Sequence, residues 1–245
     1  MTPTDEEGLT LAYFTILSTN DKPLVRAIID VLVVAALWSL SSAGYYDIKD
    51  GLGLSNGYQE APVLYSAYYL GFSIAAVLLF RHRLRLWHPL AHGALPVVVV
   101  LVMIAVFTLA VLPSLPEIDL TLAPSNPPEF MFADGRYYVP KTFEILFQQI
   151  LILTIVLVLQ SFGWPILRIG MLTAALFGLF HLSLILGGAT SFYVARFTIA
   201  ATCFGAVVPG LQLATRNGAT LSFGLHWGFY IADNIFTHVV LSSAP

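Results

Sequence analysis

The sequence is poor in charged residues and has almost no cysteine. Of its 245 residues, 10% are charged and 58% are hydrophobic, whereas a soluble domain carries about 25% charged and 45–50% apolar residues. The formal net charge of −3 gives no electrostatic footprint for nucleic acid, so we expect no nucleic-acid partner. The one cysteine, Cys203, excludes an internal disulfide and a cysteine-based metal cluster.

Several common sequence signals are also missing. No internal repeat is visible, so an inverted-repeat transporter has no support. No phosphate-binding glycine loop occurs, and Gly187-Gly188 is interpreted as a tight turn between two spans. The N-terminus carries Asp5, Glu6 and Glu7 and lacks the positive n-region of a cleaved signal peptide. We therefore expect the first hydrophobic stretch to be retained as a helix.

Long apolar stretches dominate the chain and predict an all-α, polytopic membrane helical bundle. A span needs roughly 20 apolar residues, which allows about seven transmembrane helices here. The stretch Leu9–Leu17 is apolar but too short to span, so it lies in the interface or frays. The predicted spans are Leu24–Ala43, Ala61–Phe80, Ala94–Leu115, Thr142–Gln160, Ile169–Leu186, Phe192–Leu213 and Ala219–Leu241.

The longest connection, Pro116–Lys141, has the proline- and glycine-rich composition of turns and divides the chain. The predicted parts are an N-terminal cytoplasmic or interfacial segment (1–20), three transmembrane helices (21–115), an extracytoplasmic loop (116–141) and a four-helix core (142–245). The densest basic segment is Arg81–Arg85, and cytoplasmic loops are enriched in Lys and Arg. This predicts a cytoplasmic N-terminus and an external C-terminus.

Polar side chains inside the apolar spans are the candidate functional residues. Ionisable groups in a bilayer cost several kcal/mol and by default mark a functional site or a buried pair. Arg26 and Asp30 are spaced i, i+4 and predict an intrahelical ion pair. Glu144 and Gln148 share a helix face, as do positions 226, 230 and 233. The candidates in the second part are Glu144, Gln148, His181, Arg196, His226, Tyr230, Asp233 and Asn234.

Each candidate also has a purely structural interpretation. A lone histidine can hydrogen-bond a neighbouring helix. Glu144 near a helix start suits the helix dipole, and Arg196 near a span end can extend its guanidinium to the interface. Asp233 could pair with Arg196 as structural glue.

Two stretches carry a resemblance to a known family. Phe177 to His181 has the pattern Phe-x-x-x-His, and Arg216 to His226 looks like a polar turn, a glycine and a helix leading to a histidine. With these two stretches in this order along the chain, the sequence resembles the CAAX proteases and bacteriocin-processing enzymes. These are glutamate-dependent intramembrane endopeptidases of all-helical fold. Where the family has Glu-Glu, this chain has Phe143 and Glu144. Gln148 occupies the position of the family's arginine, and Tyr230 that of its asparagine.

The resemblance implies an intramembrane endopeptidase acting on a membrane-associated protein or peptide, in the lipid bilayer of a bacterial cell membrane. Glu144 would activate the water, His181 would hold that water or protonate the leaving amine, and His226 would stabilise the oxyanion. Gln148, Arg196, Tyr230, Asp233 and Asn234 would support them. No metal or other cofactor is expected, although two histidines and a carboxylate could in principle bind zinc.

At about 1.5 Å per residue, Glu144, His181, Arg196 and Asp233 fall toward the outer half of the bundle, and His226 lies deeper toward the inside. We therefore hypothesise that Arg196 replaces the missing motif arginine as the partner of Glu144. Two other functions stay open. One is a catalytically inactive relative that binds a membrane partner or peptide, or acts as a scaffold or immunity-type protein. The other is a transporter or channel in which Glu144, His181 and Asp233 relay protons.

Overall fold

The computed structural model describes residues 5–87, 93–125 and 128–242, with side chains described from residue 23 onward. Over these ranges the chain is helical and forms no strand. Four short 3-10 or π segments extend helices or lie within loops in the described ranges. They are Phe107–Val111, Leu112–Ser114, Glu129–Phe132 and Ser183–Gly187. The α-helices are α1 (Asp5–Gly51), α2 (Gly57–Glu60), α3 (Pro62–Leu84), α4 (Ala94–Val106), α5 (Tyr138–Gln160), α6 (Ile166–Leu182), α7 (Ser191–Ala214) and α8 (Gly218–Val240).

Six of the described helices are long and apolar enough to cross a membrane. They are α1, α3, α4, α5, α6 and α7. Their outer faces expose large aliphatic side chains, such as Val63 at 82% and Leu109 at 79%. Exposed apolar surface on this scale is rare on soluble monomers and is expected where lipid covers it. The prediction of an integral membrane helical bundle is therefore confirmed.

The predicted seventh span, Ala219–Leu241, forms helix α8 but is not among these six. Its apolar residues alternate with His226, Asp233, Asn234 and His238, which reduces its hydropathy. Most of the side chains that α8 buries face its helix neighbours. The helix was therefore correctly located from its sequence, while its apolar character is weaker than that of the other spans.

The ends of two helices differ from those predicted. Helix α1 runs from Asp5 without a break, so the N-terminal segment containing Leu9–Leu17 is helical and continuous with the first span, with Pro23 inside the helix. Helix α5 starts at Tyr138 rather than Thr142. Pro140 therefore lies in its first turn, where the missing proline N–H costs no intrahelical hydrogen bond.

Helix α5 is the centre of the bundle. Over its apolar window 56% of the residues are buried, against 17–28% for the other five spans. It contacts α1, α3 and α8 and also touches α2, α6 and α7. This position follows from its sequence, because the run Ile150–Leu159 is apolar on every face and such a helix is buried on all sides.

Helices α6 and α7 approach each other closely at two glycines. A Cβ added at Gly170 would lie 2.8 Å from the carbonyl oxygen of Ala206, and one added at Gly205 would lie 2.6 Å from that of Thr173. The hydroxyl of Thr173 also donates to the carbonyl of Gly205 at 2.5 Å. Small residues that allow close approach, together with side-chain hydrogen bonds between helices, are the usual means of helix association in membranes.

Contacts between loops define the two ends of the bundle. At one end, here named the α2 end, Lys49 pairs with Glu129 and the Asp119 amide donates to the Leu241 carbonyl. At the other, named the Trp87 end, the indole N–H of Trp87 donates to the Gln212 carbonyl at 3.1 Å. Residues 45–60, 115–125 and 128–137 lie at the α2 end.

A buried ion pair at the Trp87 end corrects one prediction. Arg83 of α3 donates through Nε to Asp30 of α1 at 2.7 Å, and His82 lies 3.2 Å from the same carboxylate. Both Asp30 and Arg83 are buried. The structure therefore pairs Asp30 with α3 rather than with Arg26 in the same helix, because the α3 side chains reach it from the facing helix.

Candidate functional site

A polar cavity of about 350 Å³ lies between α1, α3 and α5 at the α2 end. It reaches down to Trp38, near the middle of the apolar part of α1. Its aromatic lining consists of Trp38, Tyr45, Tyr46, Tyr58, Tyr69, Tyr137 and Phe147. The remaining lining residues are Ser41, Ser42, Pro128, Glu129, Lys141, Glu144 and Gln148.

Glu144 lies on the wall of this cavity and is engaged by three side chains. The ammonium of Lys141 donates to its Oε2 at 2.7 Å, and the hydroxyl of Tyr58 donates to the same oxygen at 2.9 Å. Oε1 accepts a hydrogen bond from the Gln148 amide at 2.8 Å. The prediction that Glu144 and Gln148 share one helix face is therefore confirmed, and both face the cavity.

Lys141 is the charge partner of Glu144 and was not predicted as a site residue. Its side chain is 10% exposed, and its ammonium lies 4.7 Å from the ring centroid of Tyr230 and 5.9 Å from that of Tyr58. The sequence does contain a signal for it, because Lys141 precedes Glu144 by three residues and oppositely charged residues at that spacing are neighbours on a helix.

Tyr58 joins the short helix α2 to Glu144. Burial, and next the charge of Glu144, raise the pKa of Tyr58 well above its usual value. Its phenol is therefore protonated at ordinary pH and donates to the carboxylate. Nothing in the sequence singles out Tyr58, because it lies 86 residues before Glu144.

His226 lies outside the cavity lining and is held by a buried polar chain. Its Nδ1 accepts from the amide of Gln149 at 3.1 Å. The carbonyl of that amide accepts from Ser222 at 2.6 Å, and Gln212 donates to the Ser222 hydroxyl at 3.5 Å. Ser222, Gln149 and Gln212 are buried. This chain joins α5, α7 and α8 on the Trp87 side of Glu144, as expected from the predicted depth of His226.

Tyr230 separates His226 from the Glu144 pair. Its ring stacks on the imidazole with centroids 5.8 Å apart, and the ammonium of Lys141 lies 4.7 Å from the centroid of the same ring. His226 and Tyr230 therefore share one face of α8, as predicted, and the order across the bundle is Glu144, Lys141, Tyr230, His226.

The imidazole of His181 makes a hydrogen bond within its own helix. Its Nδ1 donates to the carbonyl of Phe177 at 2.9 Å, so Phe177 and His181 of the family-like pattern contact each other directly. Neither histidine belongs to the lining of the Glu144 cavity.

The hypothesis that Arg196 is the partner of Glu144 is wrong. The guanidinium of Arg196 binds the carboxylate of Asp233, and it also donates to the Thr237 hydroxyl at 3.2 Å. Arg196 and Asp233 therefore lie at the same depth, as predicted, and form the link between α7 and α8 that the structural interpretation described.

Asn234 has a structural position. Its amide donates to the Tyr138 hydroxyl at 2.9 Å and to the Phe130 carbonyl at 3.2 Å, and its side chain is completely buried. It thus fastens the segment Glu129–Phe132 to the start of α5. Because Glu129 of that segment lines the cavity, Asn234 stabilises the cavity wall without lining the cavity itself.

The predicted catalytic residues are therefore distributed over two neighbouring polar groups, with Glu144 and Gln148 on the cavity and His226 in the buried chain. An ionised carboxylate offers about four acceptor positions, and three of those on Glu144 are taken. A general base needs a water within about 2.6–3.2 Å, and the ammonium of Lys141 occupies one Glu144 oxygen at 2.7 Å. The arrangement favours holding a charge in place over activating water.

No group of three or more histidine, cysteine, aspartate and glutamate side chains that could hold a metal ion occurs in the described part of the chain. Comparison with protein-family models, with curated proteins and with solved structures finds no match to this chain.

Proposed function

We propose that this membrane protein is a non-catalytic relative of the family it resembles and binds a small polar solute in the cavity between α1, α3 and α5. The observation that carries the proposal is the engagement of Glu144 by Tyr58, Lys141 and Gln148 at 2.7–2.9 Å on the cavity wall. A concave site with a few convergent polar groups is the usual form of a ligand site.

The solute enters from the α2 end. The lining residues Tyr45, Glu129 and Tyr137 belong to the segments at that end, and Trp38 closes the cavity near the middle of the bundle. Most Lys and Arg residues of the sequence lie toward the Trp87 end, including Arg81, Arg83 and Arg85. By the positive-inside rule the α2 end faces the outside, so the solute comes from the extracytoplasmic side.

Binding is tested by thermal melting of the purified full-length protein in nanodiscs with a panel of small solutes at millimolar concentrations. Ser42 lines the cavity, so Ser42→Trp fills it while Ser42→Ala leaves it open. We expect at least one solute to raise the melting temperature of the wild type and of Ser42→Ala, and to have no effect on Ser42→Trp. A panel without any stabilising solute, or equal stabilisation of all three proteins, contradicts the proposal.

Endopeptidase activity is a second candidate, supported by the position of Glu144 on a polar cavity at membrane depth. For hydrolysis, a water would take the remaining acceptor position of Glu144, and the substrate would be a membrane-associated protein or peptide. The test is release of a fluorescent fragment from transmembrane peptides in liposomes. Activity that Glu144→Gln abolishes would establish hydrolysis, and the absence of release from wild-type protein that still binds its solute would exclude it.

A further inference from the structure

The α2 end, where the cavity opens, carries mostly acidic side chains. Its segments 45–60, 115–125 and 128–137 contain seven acidic residues and two basic ones. The acidic residues are Asp47, Asp50, Glu60, Glu117, Asp119, Glu129 and Asp134, and the basic ones are Lys49 and Arg136. A cleft surrounded by one sign of charge raises the local concentration of oppositely charged ligands. The mouth of the cavity therefore attracts cations and repels anions.

Two of the tyrosines that line the cavity already have an ammonium group near their rings. The Nζ of Lys49 lies 5.5 Å from the ring centroid of Tyr46, and the Nζ of Lys141 lies 5.9 Å from that of Tyr58. An aromatic face attracts a cation within about 6 Å of its centroid, and sets of such faces recognise ammonium ligands. The environment is therefore suited to a further ammonium group in the cavity.

Two carboxylates face the cavity, and one ammonium does. Glu129 accepts from the Tyr45 hydroxyl at 2.7 Å and from Lys49 at 3.2 Å, which leaves about two of its four acceptor positions free. Lys141 is the one lining residue with a positive charge, and it pairs with Glu144. Lys49, the partner of Glu129, does not line the cavity, and the Glu129 side chain is 35% exposed. The Glu129 carboxylate is therefore the charge that a cation in the cavity would meet.

From these observations we propose that the solute is a small organic ammonium cation, held by the aromatic walls and by Glu129. The proposal rests on the proposed function, since it names the chemical class of the solute that this cavity binds. A cavity of about 350 Å³ is at the lower end of the range for ligand sites, which suits a compact cation and excludes a lipid or a folded peptide.

The experiment is isothermal titration of the full-length protein in nanodiscs with tetraethylammonium chloride, sorbitol and sodium benzoate at equal ionic strength. We expect saturable binding of tetraethylammonium, lost in Ser42→Trp, and none of sorbitol or benzoate. Tyr46→Leu removes an aromatic face at an exposed position, so it should weaken binding about three- to tenfold, whereas Tyr46→Phe keeps the face and should stay within about twofold. Glu129→Gln should also weaken binding.

Other outcomes separate the two proposals. Sorbitol or benzoate binding that Ser42→Trp abolishes, without tetraethylammonium binding, overturns the cation and leaves the binding function standing. Equal loss in Tyr46→Leu and Tyr46→Phe shows that the hydroxyl rather than the ring face binds, and also overturns the proposal. The absence of any binding sensitive to Ser42→Trp overturns both the cation and the binding function.

Discussion

At the scale of single residues, the site consists of a carboxylate whose charge is neutralised inside the bundle. Glu144 and Lys141 are both largely shielded, with side chains 15% and 10% exposed. Taking two charges out of water costs free energy that their attraction has to offset, so removing one partner leaves the other buried without compensation. Glu144 and Lys141 are therefore expected to behave as one unit.

This coupling is testable by a double-mutant cycle. Either Glu144→Gln or Lys141→Met alone should lower the free energy of unfolding by about 3–5 kcal/mol, because an uncompensated buried charge remains. The double variant should lose less than the sum of the two, since it buries neither charge. Unfolding in mixed micelles measures the three values. Additive losses would mean that the two side chains do not interact.

The buried environment of Tyr58 determines how the free energy of unfolding changes at high pH. Burial, and then the charge of Glu144, raise the pKa of Tyr58 well above its usual value of 10.0. Below about pH 10 the phenol is neutral in the folded and the unfolded chain, so its contribution to stability is fully present. Above about pH 10 the unfolded chain ionises first, and up to about 1.4 kcal/mol per pH unit is lost.

We therefore expect the free energy of unfolding to fall between about pH 10 and pH 11, and to fall less steeply in Tyr58→Phe. The other tyrosines are common to both proteins, so the difference between the two slopes isolates Tyr58. Parallel curves for wild type and Tyr58→Phe would show that this phenol titrates normally in the folded protein.

At the scale of helices, the sequence predicts where the membrane-spanning helices lie, but it does not predict most contacts between them. Runs of apolar residues located every long helix, because a backbone in lipid must satisfy its own hydrogen bonds. The pairing of Arg196 with Asp233 was also among the interpretations of the sequence. Two features escaped prediction. Asp30 binds Arg83 rather than Arg26, and Tyr58 reaches Glu144, because spacing along one helix carries no information about a facing helix.

The contact between α6 and α7 supplies a prediction for these elements. Gly205→Ala would place its Cβ 2.6 Å from the Thr173 carbonyl oxygen, so the helices must separate, at a cost of about 1–3 kcal/mol. Gly210 of the same helix has its nearest neighbour at 3.9 Å, on Ile166. Gly210→Ala should therefore be neutral or stabilising by up to about 1 kcal/mol. Thermal melting compares the two, and equal effects would contradict the close approach at Gly205.

At the scale of the whole molecule, the bundle has an acidic end at which the cavity opens and an opposite end that carries Arg81, Arg83 and Arg85. The sequence singled out Glu144, because charge in an apolar span is rare and costly, but it did not single out Lys141, the charged residue that pairs with it. The division of the candidate residues into a cavity group and a buried chain was not predictable. It depends on how α1, α3 and α8 surround α5, and the first three spans carry no diagnostic motif.

The central claim is that water and solutes reach Glu144 through a cavity that opens at the α2 end. Ser42 lies on its wall, while the adjacent Ala43 is exposed but does not line it. Both lie about 13 Å below the end of α1. A thiol reacts with a membrane-impermeant reagent only where water ionises it, so a cysteine facing lipid at that depth stays unlabelled.

The most direct test is therefore thiol labelling in sealed vesicles after Cys203, which is exposed, has been replaced by serine. We predict that Ser42→Cys reacts with a membrane-impermeant maleimide added on the side of the α2 end, that it does not react from the Trp87 side, and that Ala43→Cys reacts from neither. If Ser42→Cys stays unlabelled until the protein is denatured, or if Ala43→Cys labels equally well, the cavity does not admit water and the account is contradicted.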